Sequence, residues 1–141
     1  DTIYETKRLI SKKTSLEIID ILRKVVTDKN GTASLADVDG YYVGGKTGTS
    51  QNYRNKKENL NTFVSIFPSQ KPKYALLVML ENPKVAKDLI YDYRGFKIKG
   101  TRNEAGWNSA YVTGKIIEKI GPILAIKSEE FNKHYVAENI N

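Results

Sequence analysis

The sequence predicts an α+β fold in which an antiparallel sheet is flanked by helices. Apolar residues recur at helical spacing near both ends of the chain, and extended apolar segments lie between these two regions. Two of these segments, residues 62–67 and 74–80, are separated by a short turn that contains Pro68 and Pro72, and such a pair is most simply antiparallel. The predicted order is helix, three strands, helix, without the alternation of strand and helix that is typical of parallel sheets.

The first predicted helix covers roughly residues 15–27. Thr14 and Glu17 have the spacing of a capping box, in which each side chain accepts a backbone N–H that the helix start leaves free. Apolar residues then fall mostly on one face of the helix, and Asn30-Gly31 is a turn signal that ends it.

Three further segments are predicted in the middle of the chain. Residues 41–43 are predicted to be extended, because aromatic and β-branched residues favour strands. Residues 51–61 are polar and are predicted to form a surface loop or the splayed end of a hairpin. Residues 74–80 are continuously apolar, which predicts a strand that is buried on both faces.

The last part of the chain is predicted to contain one helix. Residues 84–104 are rich in Lys, Tyr, Asp and Gly, and they are predicted to be an insertion or a long loop. A helix is predicted over residues 108–120 and is expected to stop at Gly121-Pro122. The polar residues 128–141 are predicted to be a loosely held C-terminal tail.

The composition excludes several classes of protein. The chain has 141 residues, enough for one domain, which is predicted over residues 1–127. It has no cysteine, so disulfides, zinc–thiolate sites and thiol nucleophiles are excluded. Its only histidine, His134, lies in the predicted tail, so a histidine-based triad is not expected, and neither is a metal or cofactor site. No apolar run approaches the roughly 20 residues of a membrane-spanning helix.

The chain carries a net charge of +7, from 23 basic and 16 acidic residues. An excess of basic residues can indicate a nucleic-acid partner. Here the basic residues form no dense run and no nucleic-acid-binding motif accompanies them, so a solvated basic surface is preferred and no nucleic acid is expected to bind. Trp107 is expected to pack against the sheet, and Tyr91 and Tyr93 are expected to pack at the surface rather than to form a stacking platform.

The stretch Lys46-Thr47-Gly48-Thr49 suggests chemistry most clearly. It offers an ammonium group, two hydroxyls and, at Gly48, a backbone that a ligand can approach closely. Such a set can bind a carboxylate or a phosphate, and exposed backbone amides there can polarise a carbonyl. Because Lys46 and Thr47 point to opposite faces of a strand, a site that uses both must lie at the edge of that strand.

A phosphate-binding loop is an alternative for this stretch. Gly40 and Gly45-Lys46-Thr47 fit the spacing of that motif. The fit would place the bulky residues 41–43 where the loop must fold tightly, and it would need a helix to begin at Thr47, where the sequence is a poor helix start. The phosphate-loop interpretation is therefore rejected.

The motif belongs to a longer pattern, in which residues 46–49 follow Gly44-Gly45 and Gly31-Thr32-Ala33 lies upstream. This pattern resembles the penicillin-binding proteins, the serine transpeptidases that cross-link peptidoglycan, and more closely their class B (monofunctional) members. Residues 105–110, which lead into the last helix, resemble the end of the family's domain, so the resemblance covers about residues 10–125. It implies a β-lactamase/transpeptidase-like fold of which this chain is an incomplete, C-terminal portion.

The resemblance also implies a role for each residue of the motif. Lys46 is implied as a catalytic residue that assists proton transfer around the nucleophile and attracts the substrate's terminal carboxylate. Thr47 and Thr49 are implied to hold that carboxylate with their hydroxyls, and the backbone amide of Thr49 is implied as half of an oxyanion hole, which makes Thr49 catalytic as well. Gly48 is implied to keep the strand open for the substrate peptide.

The sequence departs from the family in one respect. The family needs a nucleophilic serine in a Ser-x-x-Lys motif, and no serine of this chain is followed three residues later by lysine. Ser50-Gln51-Asn52 has the form of the family's Ser-x-Asn motif, but it lies in the strand of the Lys-Thr-Gly motif and is interpreted as a coincidence. The nucleophile is therefore expected upstream of Asp1, and the chain alone is expected to be inactive.

The implied function is that of a peptidoglycan D,D-transpeptidase without metal or cofactor. Its expected partners are the D-Ala-D-Ala stem peptide, β-lactams, the upstream remainder of the same protein and other members of a wall-synthesis complex. Its expected location is the periplasmic face of the bacterial inner membrane, with an anchor upstream. Two alternatives stay open: a serine β-lactamase or D,D-carboxypeptidase, and a non-catalytic basic binding module whose binding would depend steeply on salt.

Overall fold

The computed structural model describes the backbone of residues 7–51 and 58–138, and the side chains of these ranges up to residue 124. The described residues form the predicted α+β fold, with an antiparallel sheet of three strands and a separate two-stranded hairpin. The helices and strands are α1 (Lys12–Thr27), β1 (Gly44–Gln51), β2 (Asn59–Phe67), β3 (Tyr74–Glu81), β4 (Ile90–Tyr93), β5 (Phe96–Lys99) and α2 (Ser109–Glu138), with a short 3₁₀ turn at Ser34–Ala36.

Helix α1 begins at Lys12 rather than at residue 15, because Ser11 caps it. The Ser11 side chain accepts a hydrogen bond from the backbone N–H of Thr14 at 3.0 Å. The predicted capping box of Thr14 and Glu17 is therefore wrong, since Thr14 lies inside the first turn and its own amide is the group that is capped. The predicted end of the helix at residue 27 is confirmed.

Strand β1 starts after the predicted extended segment 41–43. Tyr42 has a φ of 49°, in the left-handed region, so the backbone turns there and the strand begins at Gly44. The glycines occur in a strand because the backbones approach closely. A Cβ on Gly45 would lie 2.4 Å from the carbonyl oxygen of Val64 on the neighbouring strand.

Strands β2 and β3 confirm the predicted antiparallel pair and extend it. Strand β2 pairs with β1 on one side and with β3 on the other, which gives the order β1-β2-β3. Because β2 begins at Asn59, the end of the predicted loop 51–61 is a strand. Residues 52–57 of that loop lie outside the described residues.

One face of the sheet, called here the covered face, packs against α2 and contains the core. Four β2 residues on this face are buried: Asn61, Phe63, Ser65 and Phe67. Phe63 and Ile117 of α2 are the largest side chains that are fully buried. The hydroxyl of buried Ser65 donates to the carbonyl of Leu76 at 3.1 Å, so the polar group on this face has a partner.

The opposite face, called here the open face, is exposed over most of the sheet. Val64, Leu77 and Met79 are 51%, 54% and 55% exposed. The prediction that residues 74–80 are buried on both faces is therefore wrong. Burial alternates along β3, because α2 packs on one side and no described residue covers these three side chains on the other.

Strands β4 and β5 form a hairpin within residues 84–104, so the prediction of a long loop is wrong, and the prediction of an insertion stays a prediction. The two strands pair antiparallel and are joined by Arg94 and Gly95, whose φ angles are 54° and 82°. Two successive residues with positive φ form the tight turn whose twist matches that of the strands. Gly95, which lies between aromatic residues, is a sequence signal for the turn of this hairpin. The polar residues around it make the two strands hard to recognise from the sequence.

Helix α2 does not stop at Gly121-Pro122, and that prediction is wrong. The helix continues to Glu138, well into the predicted tail, and Pro122 removes only one hydrogen bond from it. Gly121 has a packing role instead of a stop role: a Cβ there would lie 2.2 Å from the ring of Tyr41. The division into a domain at 1–127 and a tail stays a prediction.

Candidate active site

The Lys-Thr-Gly motif lies on β1, which is an edge strand of the sheet that the structure describes. The pairing with β2 places Lys46 opposite Val64, on the open face, and Thr47 opposite Phe63, on the covered face. The two side chains thus belong to opposite faces, and the strand that carries them is at the edge, as a site that uses both requires.

The Lys46 side chain bends from the open face over the strand edge. Its Nζ donates a hydrogen bond to the backbone oxygen of Thr47 at 2.7 Å and lies 3.5 Å from the Thr47 hydroxyl. The ammonium group and the Thr47 hydroxyl, which the sequence predicts in one site, are therefore adjacent. Lys46 is exposed to solvent, so its charge is available to a ligand or to another part of the protein.

Both threonine hydroxyls of the motif have a neighbour from a distant segment. The Thr47 hydroxyl lies 3.0 Å from the hydroxyl of Thr32, which follows α1 in the chain. The Thr49 hydroxyl accepts a hydrogen bond from the backbone N–H of Ala105 at 3.4 Å. Thr32 is not among the residues predicted for the site, although the pattern Gly31-Thr32-Ala33 is the signal that could have found it.

Gly48 is pressed against the neighbouring strand. A Cβ on Gly48 would lie 2.6 Å from the hydroxyl oxygen of Thr62, and that hydroxyl donates to the Gly48 carbonyl at 3.3 Å. The glycine therefore fits a close contact with β2. Its predicted role beside a bound peptide stays a prediction.

A cleft of about 380 Å³ lies beside the threonines, on the side of the covered face. It is bounded by the motif, by the loop after α1, by the β4–β5 hairpin and by the segment that leads into α2. The lining residues that carry polar or aromatic side chains are Thr32, Thr47, Thr49, Tyr93, Arg102, Glu104 and Trp107.

The wall of this cleft opposite the motif is aromatic. The Trp107 ring stacks on Tyr93 with centroids 5.1 Å apart and an interplanar angle of 23°, and Tyr91 meets it edge-on at 5.5 Å. The Arg102 guanidinium lies over the Trp107 ring, 5.3 Å from its centroid. Trp107 thus packs on the hairpin, and its predicted packing against the three-stranded sheet stays a prediction. Tyr91 is buried rather than at the surface, so that prediction is wrong.

Hydrogen bonds fix the segment that carries Trp107. The buried Asn61 of β2 donates from Nδ2 to the carbonyl of Asn103 at 2.5 Å, and Asn108 donates to the same carbonyl at 3.1 Å. The Ser109 hydroxyl donates back to the carbonyl of Asn61 at 2.9 Å. The aromatic wall is therefore tied to the strand that neighbours the motif.

Two titratable side chains of the hairpin have shifted pKa values. Burial raises the pKa of the Tyr91 phenol, and the nearby Tyr111 raises it further. The Lys97 ammonium, hydrogen-bonded to Asp92, lowers the pKa of that exposed carboxyl group. A larger cavity, of about 660 Å³, is lined by residues such as Asp39, Asp92 and Arg94 but by no residue of the motif.

Neither a metal site nor a membrane-spanning helix is found among the residues that the structure describes. No three His, Asp or Glu residues there are grouped so that they could hold a metal ion. No helix in the described part combines the length and the apolar character needed to cross a bilayer. The side chain of His134 and the residue Asn52 lie outside what the structure describes.

Comparison with known proteins identifies the family. A family model described as the penicillin binding protein transpeptidase domain matches residues 1–101 of the 141-residue chain. The chain belongs to this family.

Relatives and solved structures of transpeptidases are similar to this transpeptidase segment. A Caulobacter vibrioides protein named "Probable peptidoglycan D,D-transpeptidase FtsI" is 34% identical over 134 residues, which cover 87% of this chain and 21% of the relative. Stage V sporulation protein D of Bacillus subtilis is 32% identical, over 86% of this chain and 17% of the relative. The transpeptidase domain of FtsI4 from Legionella pneumophila has a TM-score of 0.57 at 28% identity, over 77% of this chain and 35% of that structure. The chain thus spans about a fifth of the relatives' length.

Proposed function

We propose that this chain forms the substrate-binding edge of a peptidoglycan D,D-transpeptidase, and that another part of the same protein supplies the nucleophilic serine. The observation that carries the proposal is the convergence of Lys46, Thr47 and Thr49 at the edge of β1, beside a cleft. Membership of the transpeptidase family and relatives named D,D-transpeptidases support it. The chain has no serine in a Ser-x-x-Lys sequence, so the nucleophile must come from elsewhere.

The threonine hydroxyls are suited to bind the terminal carboxylate of a D-Ala-D-Ala stem peptide. Thr47 and Thr49 are two residues apart on a strand and therefore share a face. The Thr49 oxygen accepts from the Ala105 amide, and the Thr47 oxygen can accept from the Thr32 hydroxyl. When Thr32 donates to Thr47, both oxygens accept, and both hydroxyl protons are free to be donated to the carboxylate.

The backbone amide of Thr49 is suited to an oxyanion hole. Alternate residues of an antiparallel strand turn their N–H and C=O groups away from the partner strand. The Thr47 carbonyl accepts from the Lys46 ammonium at the open edge, and Thr49 has the same phase along β1 as Thr47. In the proposed reaction the serine oxygen attacks the carbonyl of the penultimate residue, D-alanine leaves, and an amine of a neighbouring stem peptide then takes the acyl group.

Lys46 is proposed to serve the nucleophile from the open face. That face exposes Val64, Leu77 and Met79, and α1 likewise exposes Leu16 and Ile21, at 52% and 59%. Exposed apolar surface of this kind indicates contact with a further part of the protein. The proposal places the serine-bearing part there, so that its nucleophile approaches the Lys46 ammonium, which assists proton transfer.

The specific partners of the enzyme and its cellular location are part of the same proposal. The enzyme would bind β-lactams as well as the stem peptide, and it would work in a wall-synthesis complex on the periplasmic face of the inner membrane, anchored by a segment upstream of this chain. The relatives named FtsI support a role in the same reaction class. Nucleic acid has no part in this proposal.

Intact-mass analysis after incubation with benzylpenicillin tests the proposal. The protein that joins this chain to the serine-bearing part should form a stable adduct, and peptide mapping should place it on the serine of a Ser-x-x-Lys sequence. The isolated chain, as the matched control, should form none. An adduct on the isolated chain, or no adduct on the joined protein, would contradict the proposal, and rapid loss of the adduct would instead indicate a β-lactamase.

Substitution of the threonines tests the assigned roles. Thr47→Val and Thr49→Val keep the shape of the side chain and remove the hydroxyl, so each should slow acylation of the joined protein about tenfold or more, because each removes a hydrogen bond to a charged group. Ser50→Ala, on the same strand, is the control and should leave the rate unchanged. Equal rates in all three variants would remove the threonines from the site.

A further inference from the structure

We propose that Arg102 supplies the positive charge that binds the substrate's terminal carboxylate at the cleft. The inference rests on the proposed function, because it concerns the carboxylate of the same substrate. It assigns that charge to a residue outside the Lys-Thr-Gly motif, in the segment between β5 and α2. The matched range of the family model ends just before it, at residue 101.

Charge-assisted binding of a carboxylate in the cleft requires a cation. Arg102 is the only cationic side chain among the described residues that line the cleft. The hydroxyls of Thr47 and Thr49 can donate hydrogen bonds but carry no charge. Arg102 is exposed, its guanidinium lies over the Trp107 ring, and it has no hydrogen bond or ion pair within the described residues. A guanidinium with no counter-ion in that part of the chain, beside two hydroxyl donors, is suited to charge-assisted binding of a carboxylate.

Lys46 is less well placed for this role, although its ammonium lies 3.5 Å from the Thr47 hydroxyl. Its side chain belongs to the open face, its ammonium donates to the Thr47 carbonyl, and it does not line the cleft. The two cations therefore have different proposed roles. Lys46 serves proton transfer at the nucleophile, and Arg102 neutralises the carboxylate with a planar group that can donate two parallel hydrogen bonds.

Arg102 is held in a defined position by the aromatic wall. Its guanidinium lies over Trp107, which is itself stacked on Tyr93 and contacted edge-on by the buried Tyr91. A cation that rests on a fixed ring loses less conformational entropy when it binds a ligand than a free surface arginine does. The aromatic wall thus acts as a support for the charged group.

The position of Arg102 is also linked to the threonines. The backbone of Ala105, three residues after Arg102, donates to the Thr49 hydroxyl. Asn61, which pairs with Thr49 across the sheet, donates to the carbonyl of Asn103. Because contacts on both sides of Thr49 hold this segment, the arginine and the hydroxyls present a joint surface to one carboxylate.

Glu104 provides an internal control of opposite charge. It lines the same cleft and forms no ion pair with Arg102, since no guanidinium nitrogen lies within 4.0 Å of its carboxylate oxygens. Removal of its charge should favour an anionic ligand, whereas removal of the Arg102 charge should disfavour it. A pair of variants, Arg102→Gln and Glu104→Gln, therefore predicts effects of opposite sign on the same equilibrium.

Fluorescence titration of the 141-residue chain tests the inference without any need for acylation. Trp107 is the only tryptophan and lies against Arg102, so its emission reports on the site. N-acetyl-D-Ala-D-Ala should bind about tenfold more tightly than its C-terminal amide. Arg102→Gln should remove this preference, and Glu104→Gln should keep or increase it. Equal binding of acid and amide by the wild type, or an unchanged preference in Arg102→Gln, would overturn the proposal.

Acylation of the joined protein separates this inference from the proposed function. Benzylpenicillin and its methyl ester differ at one group, a charged carboxylate in the acid and a neutral ester in its derivative. Arg102→Gln should slow acylation by the acid about tenfold relative to the ester, and Arg102→Lys should restore part of the loss. If the wild type is acylated but Arg102→Gln slows both ligands equally or neither, the inference fails and the proposed function stands. If the wild type is not acylated at all, the proposed function fails, and the dipeptide titration still decides the role of Arg102.

Discussion

The two faces of the three-stranded sheet differ in what covers them. On the covered face Phe63 is fully buried, and Val78 is 7% exposed. On the open face, next to these residues in sequence, Val64 and Leu77 are more than half exposed. The side chains on the two faces are similarly apolar, so the sequence is that of a sheet made to be covered on both sides. The described residues cover one face and, through α1, only the part of the other around Gly44.

This difference explains how the site is divided. Thr47 and Thr49 lie on the covered face, where the loop after α1, the hairpin and the start of α2 complete a cleft around them. Lys46 lies on the open face, where nothing in the described part of the chain stands opposite its ammonium except its own strand. In the proposed function, this chain supplies the substrate-binding half of the site, and a part of the protein outside the described residues supplies the nucleophile for the catalytic half.

The largest expected effect is on the covered face. Phe63→Ala should destabilise the chain by about 3–5 kcal/mol, because it removes a fully buried aromatic ring and leaves a cavity. Urea unfolding followed by circular dichroism measures this loss. A loss below about 1 kcal/mol would show that the covered face is not the core.

A matched pair of valines sharpens the same comparison. Val78→Ala, on the covered face, should cost about 2 kcal/mol, and Val64→Ala, on the open face, less than about 1 kcal/mol. In the protein that includes the serine-bearing part, the cost of Val64→Ala should rise toward that of Val78→Ala. An equal, small cost of Val64→Ala in both proteins would mean that the open face stays open.

Two of the three glycines of β1, Gly45 and Gly48, should respond differently to alanine. Gly45→Ala would place a Cβ against the Val64 carbonyl and the Phe63 ring, at 2.4 and 2.6 Å, where neither can move without disturbing the covered face. It should cost about 1–3 kcal/mol. Gly48→Ala meets only the Thr62 side chain, which can rotate away, so its cost should be below about 1 kcal/mol. Thermal unfolding of both variants checks the order, and the reverse order would contradict the described register.

A smaller and more local effect is expected at Asn61. Its amide holds the segment that carries Trp107, so Asn61→Ala should cost about 1–3 kcal/mol and should also shift the native fluorescence of Trp107. Val64→Ala, three residues away on the open face, should leave that emission unchanged. A stability loss without any spectral change would show that Asn61 does not fix the aromatic wall.

The sequence predicts the parts of the fold and site that depend on local pattern. The antiparallel pair is visible from two apolar runs and their turn, and the Lys46–Thr49 motif is recognisable because its residues are contiguous. The burial of β3 is not predictable in this way, since a continuous apolar run says what a strand could bury and not what is present to cover it.

Longer-range features could not be predicted from pattern alone. Thr32 and Arg102 reach the cleft from segments on either side of the sheet in sequence, and only the folded chain brings them beside Thr47. The Gly121-Pro122 signal is misleading for a physical reason, because Gly121 makes room for the Tyr41 ring rather than ending the helix. A glycine that is required for packing therefore does not indicate the end of a helix, as a glycine that is required for backbone conformation often does.

The smallest expected effect is a loss of stability at alkaline pH, which comes from the buried phenol of Tyr91 in the hairpin. Burial of Tyr91 raises its pKa above the ordinary value of 10.0, so the folded chain keeps this proton at a pH where the unfolded chain has lost it. The unfolded state then binds fewer protons, and the free energy of unfolding must fall as the pH rises above about 10. Urea midpoints at pH 8 and at pH values above 10 measure the fall, and Tyr91→Phe should show a smaller one because it has no phenol at this position. An equal fall in the two proteins would place Tyr91 in water, outside the aromatic wall.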